Sequence, residues 1–284
     1  MQITNKFNLP ESIVRAVRND PYDPGLDSDI TVTQLISSPR VFQLKRKHAG
    51  QLTQDVSDQI WCLLGSALHV VLERAEVEAI TEKRLCIERQ GAIISGQFDR
   101  LLVKDGLLQD YKVTSVYNVR DGIKPEWEAQ LNVLALILKD NGFQIKVLEV
   151  VVILKDWSKS RVGSGDYPEA PIMTISVPLW SEENAECYID ERTRLHQLAE
   201  HELPECTAEE RWQTANVYAL MKEGRKTAVK LFESENEAEA ACKAAGDKHH
   251  LVFRPGKSIR CESYCPAAPF CSQFQQEKAS VVEE

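Results

Sequence analysis

The sequence predicts an α/β fold, with strands and helices alternating along the chain rather than grouped in blocks. Three stretches carry that reading. From Gly96 to Thr114 two short apolar-rich runs flank Asp105-Gly106, a strong two-residue hairpin signal because Gly accepts the positive φ of a type I′ turn. Before it, from Asp58 to about Ala79, Ile60, Leu63, Leu64, Leu68, Val71 and Leu72 recur at helical spacing. After it, Pro125 to Asn141 reads as a helix closed by Asn141-Gly142, and Lys146 to Leu154 as a buried strand of β-branched residues. With 284 residues and 43% hydrophobic content, the chain can build one sizeable core, or a core with an appended lobe.

Residues 1–30 read as an N-terminal helix and loop: Glu11 to Arg18 is amphipathic, and Pro10, Pro21, Pro24 and Gly25 break the chain around it. Thr31 caps the next helical stretch. Arg40, Lys45, Arg46, Lys47 and His48 then form the densest basic cluster, which as a bare charge run is a solvated face. On the helix after it, Gly65, His69 and Glu73 recur every four residues and line one stripe. Arg84 to Ile94 supplies one or two strands that lead into the hairpin. In the Pro125 helix, Trp127, Gln130, Leu131 and Leu134 share a face, and a Gln on an apolar stripe needs a hydrogen-bond partner. Beyond Asp156 the chain reads as a polar loop (Ser158 to Pro171), a short strand (Ile172 to Val177) and a helix from Ser181 to about Glu202, on which His196 and His201 are expected to be solvated. Glu205 to Tyr218 fits no single element. Lys222 to Lys226 is a second small basic cluster, and Ser234 to Ala245 an acidic, Ala-rich helix.

The hairpin carries the chemistry. With Asp105 and Gly106 as its two turn residues, Lys104 pairs with Leu107, Leu101 with Asp110 and Asp99 with Lys112, so Asp99, Leu101, Asp110 and Lys112 share one face. Two carboxylates and an ammonium on one patch suit a hard cation such as Mg²⁺, which takes one or two carboxylates together with waters and a phosphate. The same residues also suit the solvated face of a surface hairpin.

The order and spacing of these residues resemble a known family. Gly96-x-x-Asp99, followed by Asp110-Tyr111-Lys112, resembles the D…(D/E)-x-K signature of the PD-(D/E)XK nuclease superfamily. Gly65-Ser66-Ala67-Leu68-His69-Val70-Val71-Leu72-Glu73 is similar to the G-x-x-x-H-x-x-x-E helix of its RecB-like branch, which includes phage-type exonucleases. Gln130-Leu131-Asn132 is similar to the start of that branch's Q-x-x-x-Y motif, with Leu134 at the Tyr position. The resemblance runs from about Thr31 to Val152. It implies a restriction-endonuclease-like αβββαβ core with a mixed central sheet flanked by helices, over 31–180, and a C-terminal α/β extension over 181–284.

It also implies a metal-dependent deoxyribonuclease. His69, Asp99 and Asp110 would bind Mg²⁺ or Mn²⁺, the Tyr111 carbonyl would complete the shell, Lys112 would assist the attacking water, and Gln130 would position substrate or water. Beside such a core, Arg40, Lys45, Arg46 and Lys47 become candidate DNA-backbone contacts. The expected activity is exonucleolytic, at DNA ends, in recombination, repair or phage DNA metabolism. A non-catalytic end-binding scaffold and a structure-specific endonuclease are the alternatives. The expected partners are DNA and a recombinase, single-strand-annealing protein or helicase, with a homo-oligomer also open.

The tail stretch from Cys261 through Cys265 to Cys271 resembles the C-terminal cysteine cluster of RecB-like and CRISPR-associated nucleases, which holds a [4Fe–4S] cluster with a fourth cysteine near the N-terminus. The place for that fourth cysteine falls at Ser37-Ser38-Pro39, and Cys62 is the nearest substitute. Cys261, Cys265 and Cys271 with His249 or His250 would instead suit Zn²⁺, and a third reading leaves them as thiols in a reducing compartment. Eight Cys at irregular spacings, with no apolar leader, favour thiols or metal ligands over disulfides. No apolar run reaches the ~18 residues of a membrane span, and a cytoplasmic location in a bacterial or phage-infected cell is expected. A net charge of −9 excludes a protein that coats nucleic acid through its overall charge, though positive charge confined to one groove remains compatible with a nuclease.

Overall fold

The computed structural model describes residues 2–19, 27–120 and 122–282; Pro21, Pro24 and Gly25 of the expected N-terminal loop lie outside the described residues. The chain divides into two compact units, Met1–Pro204 and Glu205–Glu284. The first contains β1 (Gln2–Thr4), α1 (Glu11–Arg18), β2 (Ile30–Thr31), α2 (Val32–Leu35), α3 (Pro39–Lys47), β3 (Thr53–Asp55), α4 (Ile60–Ala75), β4 (Ile80–Arg89), β5 (Ala92–Leu102), β6 (Leu107–Thr114), α5 (Pro125–Asp140), β7 (Val147–Leu154), β8 (Ile172–Val177) and α6 (Glu182–Leu198).

Among the described residues, six strands make its main sheet. β4 runs antiparallel along one edge of β5, from Ile80↔Leu101 to Arg89↔Ala92. The other edge of β5 is shared. β2 lies parallel to its start, at Ile30↔Ile94 and Thr31↔Ser95, and β6 antiparallel to its end, from Arg100↔Gln109 to Leu102↔Leu107. β7 follows β6 in parallel and β8 closes the sheet antiparallel. The β6–β7 step is parallel because α5 carries the chain back across the sheet. From α4 to β7 the order is αβββαβ, a mixed sheet flanked by helices with restriction-endonuclease-like topology.

Two hairpins differ in how they turn. Gln90 and Gly91 have φ of 50° and 71°, so the β4–β5 turn has the two left-handed residues of a type I′ connection. At the β5–β6 hairpin only Gly106 is left-handed, at φ 63°, and the turn widens to Val103–Gly106, with the Gly106 N–H donating to the Val103 carbonyl at 3.3 Å. The expected register is therefore corrected by two residues: Leu101 pairs with Leu108, not Asp110. The Gly106 carbonyl accepts the N–H groups of Lys146 and Val147 at 2.8 and 3.2 Å, and this tie to the start of β7 is what a two-residue turn would forgo.

α5 is the centre of the core. Trp127, Leu131, Leu134, Ile137 and Leu138 are buried against the sheet and α6, whose Ala185 and Ile189 complete the same apolar cluster. This packing places α6 in the first unit, which ends at Pro204. His196, expected to be solvated, is buried on α6; its Nε2 donates to the Leu35 carbonyl at 3.1 Å, and burial lowers its pKa to about 4. α4 departs from expectation in the other direction. None of its residues is fully buried, and Ile60, Leu64 and Val71 of the expected apolar face are exposed.

The second unit contains α7 (Ala208–Arg211), β9 (Val217–Lys222), β10 (Lys230–Phe232), α8 (Glu235–Ala245), β11 (His249–Arg254), α9 (Ile259–Ser263) and α10 (Ser272–Val282). Its antiparallel sheet has the order β10-β9-β11, and Ala238 of α8 packs on Leu220 and Phe232. The stretch from Glu205 to Tyr218 holds α7, capped by Thr207 and Glu210, and the first residues of β9. No helix among the described residues is long and apolar enough to cross a membrane.

Gly96 on β5 is a packing requirement. A Cβ there would lie 2.5 Å from Leu134 Cδ2 and 2.9 Å from Val32 Cγ2, both on buried side chains. Gly96→Ala is expected to lower the unfolding free energy by about 1–3 kcal/mol. Urea denaturation measures it, and an unchanged midpoint would show that Leu134 has room to move.

Candidate metal centre

Among the described residues, β5 has no strand partner on its second edge between Ser95, where β2 stops, and Arg100, where β6 begins to pair. The Asp99 carboxylate occupies that break, accepting the Tyr111 N–H at 2.6 Å where a ladder bond would otherwise form. On the first edge, Thr81↔Arg100 and Lys83↔Phe98 flank Glu82, which faces Asp99 in register without pairing. Glu82 has φ 48°, a left-handed conformation that costs a β-strand residue on the order of 1–3 kcal/mol. α4 contributes His69, whose Nδ1 lies 2.9 Å from Glu82 Oε1 and 3.6 Å from Asp99 Oδ1. Gln97 Nε2 donates to the other Glu82 oxygen at 2.7 Å.

A second group stands beside this one. Lys112 Nζ lies 2.7 Å from Asp110 Oδ2 and donates to Gln130 Oε1 at 3.0 Å, while Gln130 Nε2 donates to Asp110 Oδ1 at 3.1 Å. These three contacts close a triangle between β6 and α5. They satisfy both ends of the Gln130 amide, so the partner that an apolar stripe demanded is the Asp110–Lys112 pair. Leu134, at the Tyr position of the family motif, is a core residue against Gly96.

The charges are coupled. Burial first, and then the negative charge of Asp110, push Asp99 up to about 7, against the pull of His69, the Tyr111 N–H and Lys112. Burial opposes Glu82 as well, yet direct hydrogen bonds from His69 and Gln97 leave its pKa lowered. The hydrogen bond to Glu82 raises His69, with smaller contributions from the charges of Asp99, Glu82 and Asp110. Lys112 is raised despite burial, because Asp110 neutralises it at contact distance.

His69, Glu82 and Asp99 each offer one ligand atom within 4.8 Å of the other two. One imidazole and two carboxylates form a donor set for a divalent cation, with the carboxylates suited to Mg²⁺ or Mn²⁺. The fit is electrostatic as well: a cation would offset the burial and the Asp110 charge that together raise the Asp99 pKa. The site lies in an open cleft of about 590 Å³, also lined by Gly65 and Glu73 of α4, Arg84 of β4, Asp110 and Lys112.

Comparison with known proteins adds little to this geometry. No protein-family model matches the sequence. No curated protein matches it either. Among solved structures the chain is similar to the crystal structure of SSO0001, at 17% identity over 67% of this chain and 85% of that one, with a TM-score of 0.47. A likeness at that level identifies neither a family nor an activity.

Of the residues expected from sequence, His69, Asp99, Asp110, Lys112 and Gln130 line the one cleft. Among the described residues, Asp110 lies outside the tight donor set, and Glu82, not singled out by sequence, stands in its place. Nothing local marks Glu82, because its backbone conformation depends on the partner strand. Glu73 is exposed in the cleft, and the His69 Nδ1 pairs with Glu82 instead. Tyr111 contributes its N–H to Asp99 and packs its ring edge-on to His69, centroids 6.0 Å apart.

The basic cluster is divided. Arg40 is buried and donates to the Leu203 and Pro204 carbonyls at 3.1 and 3.2 Å, which corrects its reading as a DNA contact. Arg46 faces Glu200 at 3.4 Å, and Lys45 and Lys47 are exposed on α3. Cys261, Cys265 and Cys271 lie in the second unit, and Cys62 is exposed on α4.

A raised Asp99 pKa means that the metal-free fold prefers the neutral acid. That preference is fully present at low pH and lost as pH rises through about 7, so charging Asp99 then destabilises the metal-free protein. A ligating carboxylate must be ionised and a ligating imidazole neutral. Mn²⁺ affinity is therefore expected to rise from about pH 6 to about pH 8, by up to about tenfold per pH unit below the pKa. Calorimetric titration across that range checks it, with Asp99→Asn flattening the dependence. A pH-independent affinity in the unsubstituted protein would remove Asp99 from the ligand set.

Proposed function

We propose that this chain is a metal-dependent deoxyribonuclease that hydrolyses phosphodiester bonds at DNA ends. The observation that carries the reading is the convergence, in one open cleft, of the His69–Glu82–Asp99 donor set with the Asp110–Lys112–Gln130 triangle. A divalent cation, when bound, supplies charge neutralisation at a phosphate and makes water more acidic. The chain's own residues supply the rest. Lys112 stays protonated beside Asp110, so its part is to donate hydrogen bonds and to stabilise negative charge on the phosphate, not to accept a proton from water. Gln130 holds Lys112 and Asp110 in register. Arg84, whose guanidinium bonds Ser95 and Gln97 at 3.2 Å, places a second cation on the cleft wall for the nucleic-acid backbone. The preference for DNA over other phosphodiesters, and for ends, rests on the sequence resemblance to RecB-like and phage-type exonucleases.

End-labelled linear DNA and a covalently closed circle, each with Mg²⁺, with Mn²⁺ and with chelator, test the proposal. The expected result is metal-dependent loss of the linear substrate alone, reduced roughly 10²-fold or more in Asp110→Ala. Full activity in a folded Asp110→Ala protein would overturn the assignment. Nicking of the circle would move it to an endonuclease, and tight end binding without cleavage to a scaffold. Glu82→Gln is expected to weaken cation affinity by about 10–100-fold while leaving the fold intact, read by titration and circular dichroism.

A further inference from the structure

Trp61 stands on α4 one turn before Gly65, at the N-terminal end of the stripe that continues through Gly65, His69 and Glu73. Its ring is not packed into the core, and 52% of the residue is exposed. The Lys155 ammonium lies over one face of the indole, 3.8 Å from the ring centroid. Lys155 follows the last residue of β7, and its N–H donates to the carbonyl of Thr114, the last residue of β6, at 2.9 Å. Three residues past Thr114, Tyr117 is a second exposed aromatic. It sits in the one-turn helix Val116–Val119, which Asn118 Nδ2 ties to Thr114 Oγ1 at 2.6 Å.

Two separate rulers place the Trp61–Lys155 pair relative to the metal donor set. Along α4, Trp61 is eight residues from His69, about 12 Å at 1.5 Å per residue. Along β6, the Thr114 that holds Lys155 is three residues from Tyr111, about 10 Å at 3.3 Å per residue, and the Tyr111 ring packs on His69. The two lengths agree because α4 packs along β6. A nucleic-acid strand covers that distance in about three nucleotides at the 3.4 Å stacked rise, and in fewer when extended.

We propose that Trp61, with Lys155 on one face of its ring, is a stacking platform for an unpaired base of a DNA strand whose phosphate lies at the His69–Glu82–Asp99 donor set. The inference rests on the nuclease reading of the cleft and narrows its substrate to a strand that is single-stranded beside α4. Every base has a π-face, so stacking on an exposed indole tolerates any sequence, and an adjacent cation serves the backbone phosphate. In a continuous duplex the base faces are covered by neighbouring pairs and offer the indole nothing to stack on. The ammonium also argues for a phosphate-bearing occupant: lysine is depleted from the cores of protein–protein interfaces, yet here it is held on the exposed ring. On a chain of net charge −9, such a local cation is what an anionic strand requires.

The test is fluorescence anisotropy of the full chain with a labelled oligothymidylate and with a blunt duplex of the same length, in chelator and again with Ca²⁺. Trp61→Leu keeps an apolar side chain but removes the stacking face. It is expected to weaken single-strand binding roughly 10- to 100-fold, with duplex binding changed less than about twofold. Trp61→Phe is expected to restore most of the affinity, and Lys155→Ala to lower the salt slope for the single strand by about 0.7. Circular dichroism checks that each variant is folded. No saturable single-strand binding by the unsubstituted protein, unchanged affinity in Trp61→Leu, or an equal loss on the duplex would each overturn the proposal. Self-association abolished by Trp61→Leu with strand affinity unchanged would also overturn it and make this face a contact between copies. The two readings fail separately: cleavage with unchanged strand affinity in Trp61→Leu removes the platform alone, whereas Trp61-dependent strand binding without cleavage in Mg²⁺ or Mn²⁺ removes the nuclease reading and supports the platform.

Discussion

The first unit depends on a break in strand pairing. β5 receives β2 at Ile94 and Ser95 and β6 only from Arg100 onward, so among the described residues no strand pairs with Gly96 to Asp99 on that edge. Buried backbone groups must find partners, and the Asp99 carboxylate supplies one by accepting the Tyr111 N–H. On the face of the sheet at the same point, side chains of α2 and α5 press onto Gly96. Opposite it, Glu82 leaves the ordinary strand conformation and turns its carboxylate toward His69. A continuous ladder there would remove both the strain and the site.

The electrostatics follow from that arrangement. Burial opposes the charged form of both Asp99 and Glu82, more strongly at the more deeply buried Asp99, and their pKa values move apart. Glu82 receives hydrogen bonds from His69 and Gln97, whereas Asp99 has one backbone donor and lies in the field of Asp110. Lys112 cannot serve both acids, because its ammonium is drawn to Asp110 and Gln130. The second group is thus internally balanced and the first carries excess negative charge. A fold that maintains strain at Glu82 and a raised pKa at Asp99 offers a donor set in which a cation would relieve both carboxylates at once.

Much of this was legible in the sequence where the signal is local. α1 and α5 appear where amphipathic or apolar spacing and a terminal Asn-Gly placed them, and the helices expected from Ser181 and Ser234 begin at those residues. Asp99, Asp110, Lys112, His69 and Gln130 meet because their motifs sit at fixed points of one αβββαβ unit. The failures all concern long-range determinants. The hairpin register shifted because Gly106 is tied to β7, and Arg40 left the surface because two carbonyls at the end of the unit bind it. Glu82 takes a left-handed conformation opposite β5 that nothing in its local sequence marks. The apolar spacing of α4 specified a helix but not its burial, since helical periodicity is the same whether or not a partner covers the face.

The second unit poses a separate problem of stability. It spans only Glu205–Glu284, and its sheet is covered by one short helix, with Leu220, Phe232 and Ala238 at the centre of the apolar cluster. Domains of this size bury a small fraction of their surface and commonly need a staple beyond the apolar core. No disulfide fills that need, as all eight cysteines are thiols. Polar ties such as Arg211–Glu277 are partly solvated, and such pairs contribute little on their own. The stability of the unit therefore rests on that apolar cluster and on the backbone ladders that join β9 to β10 and β11.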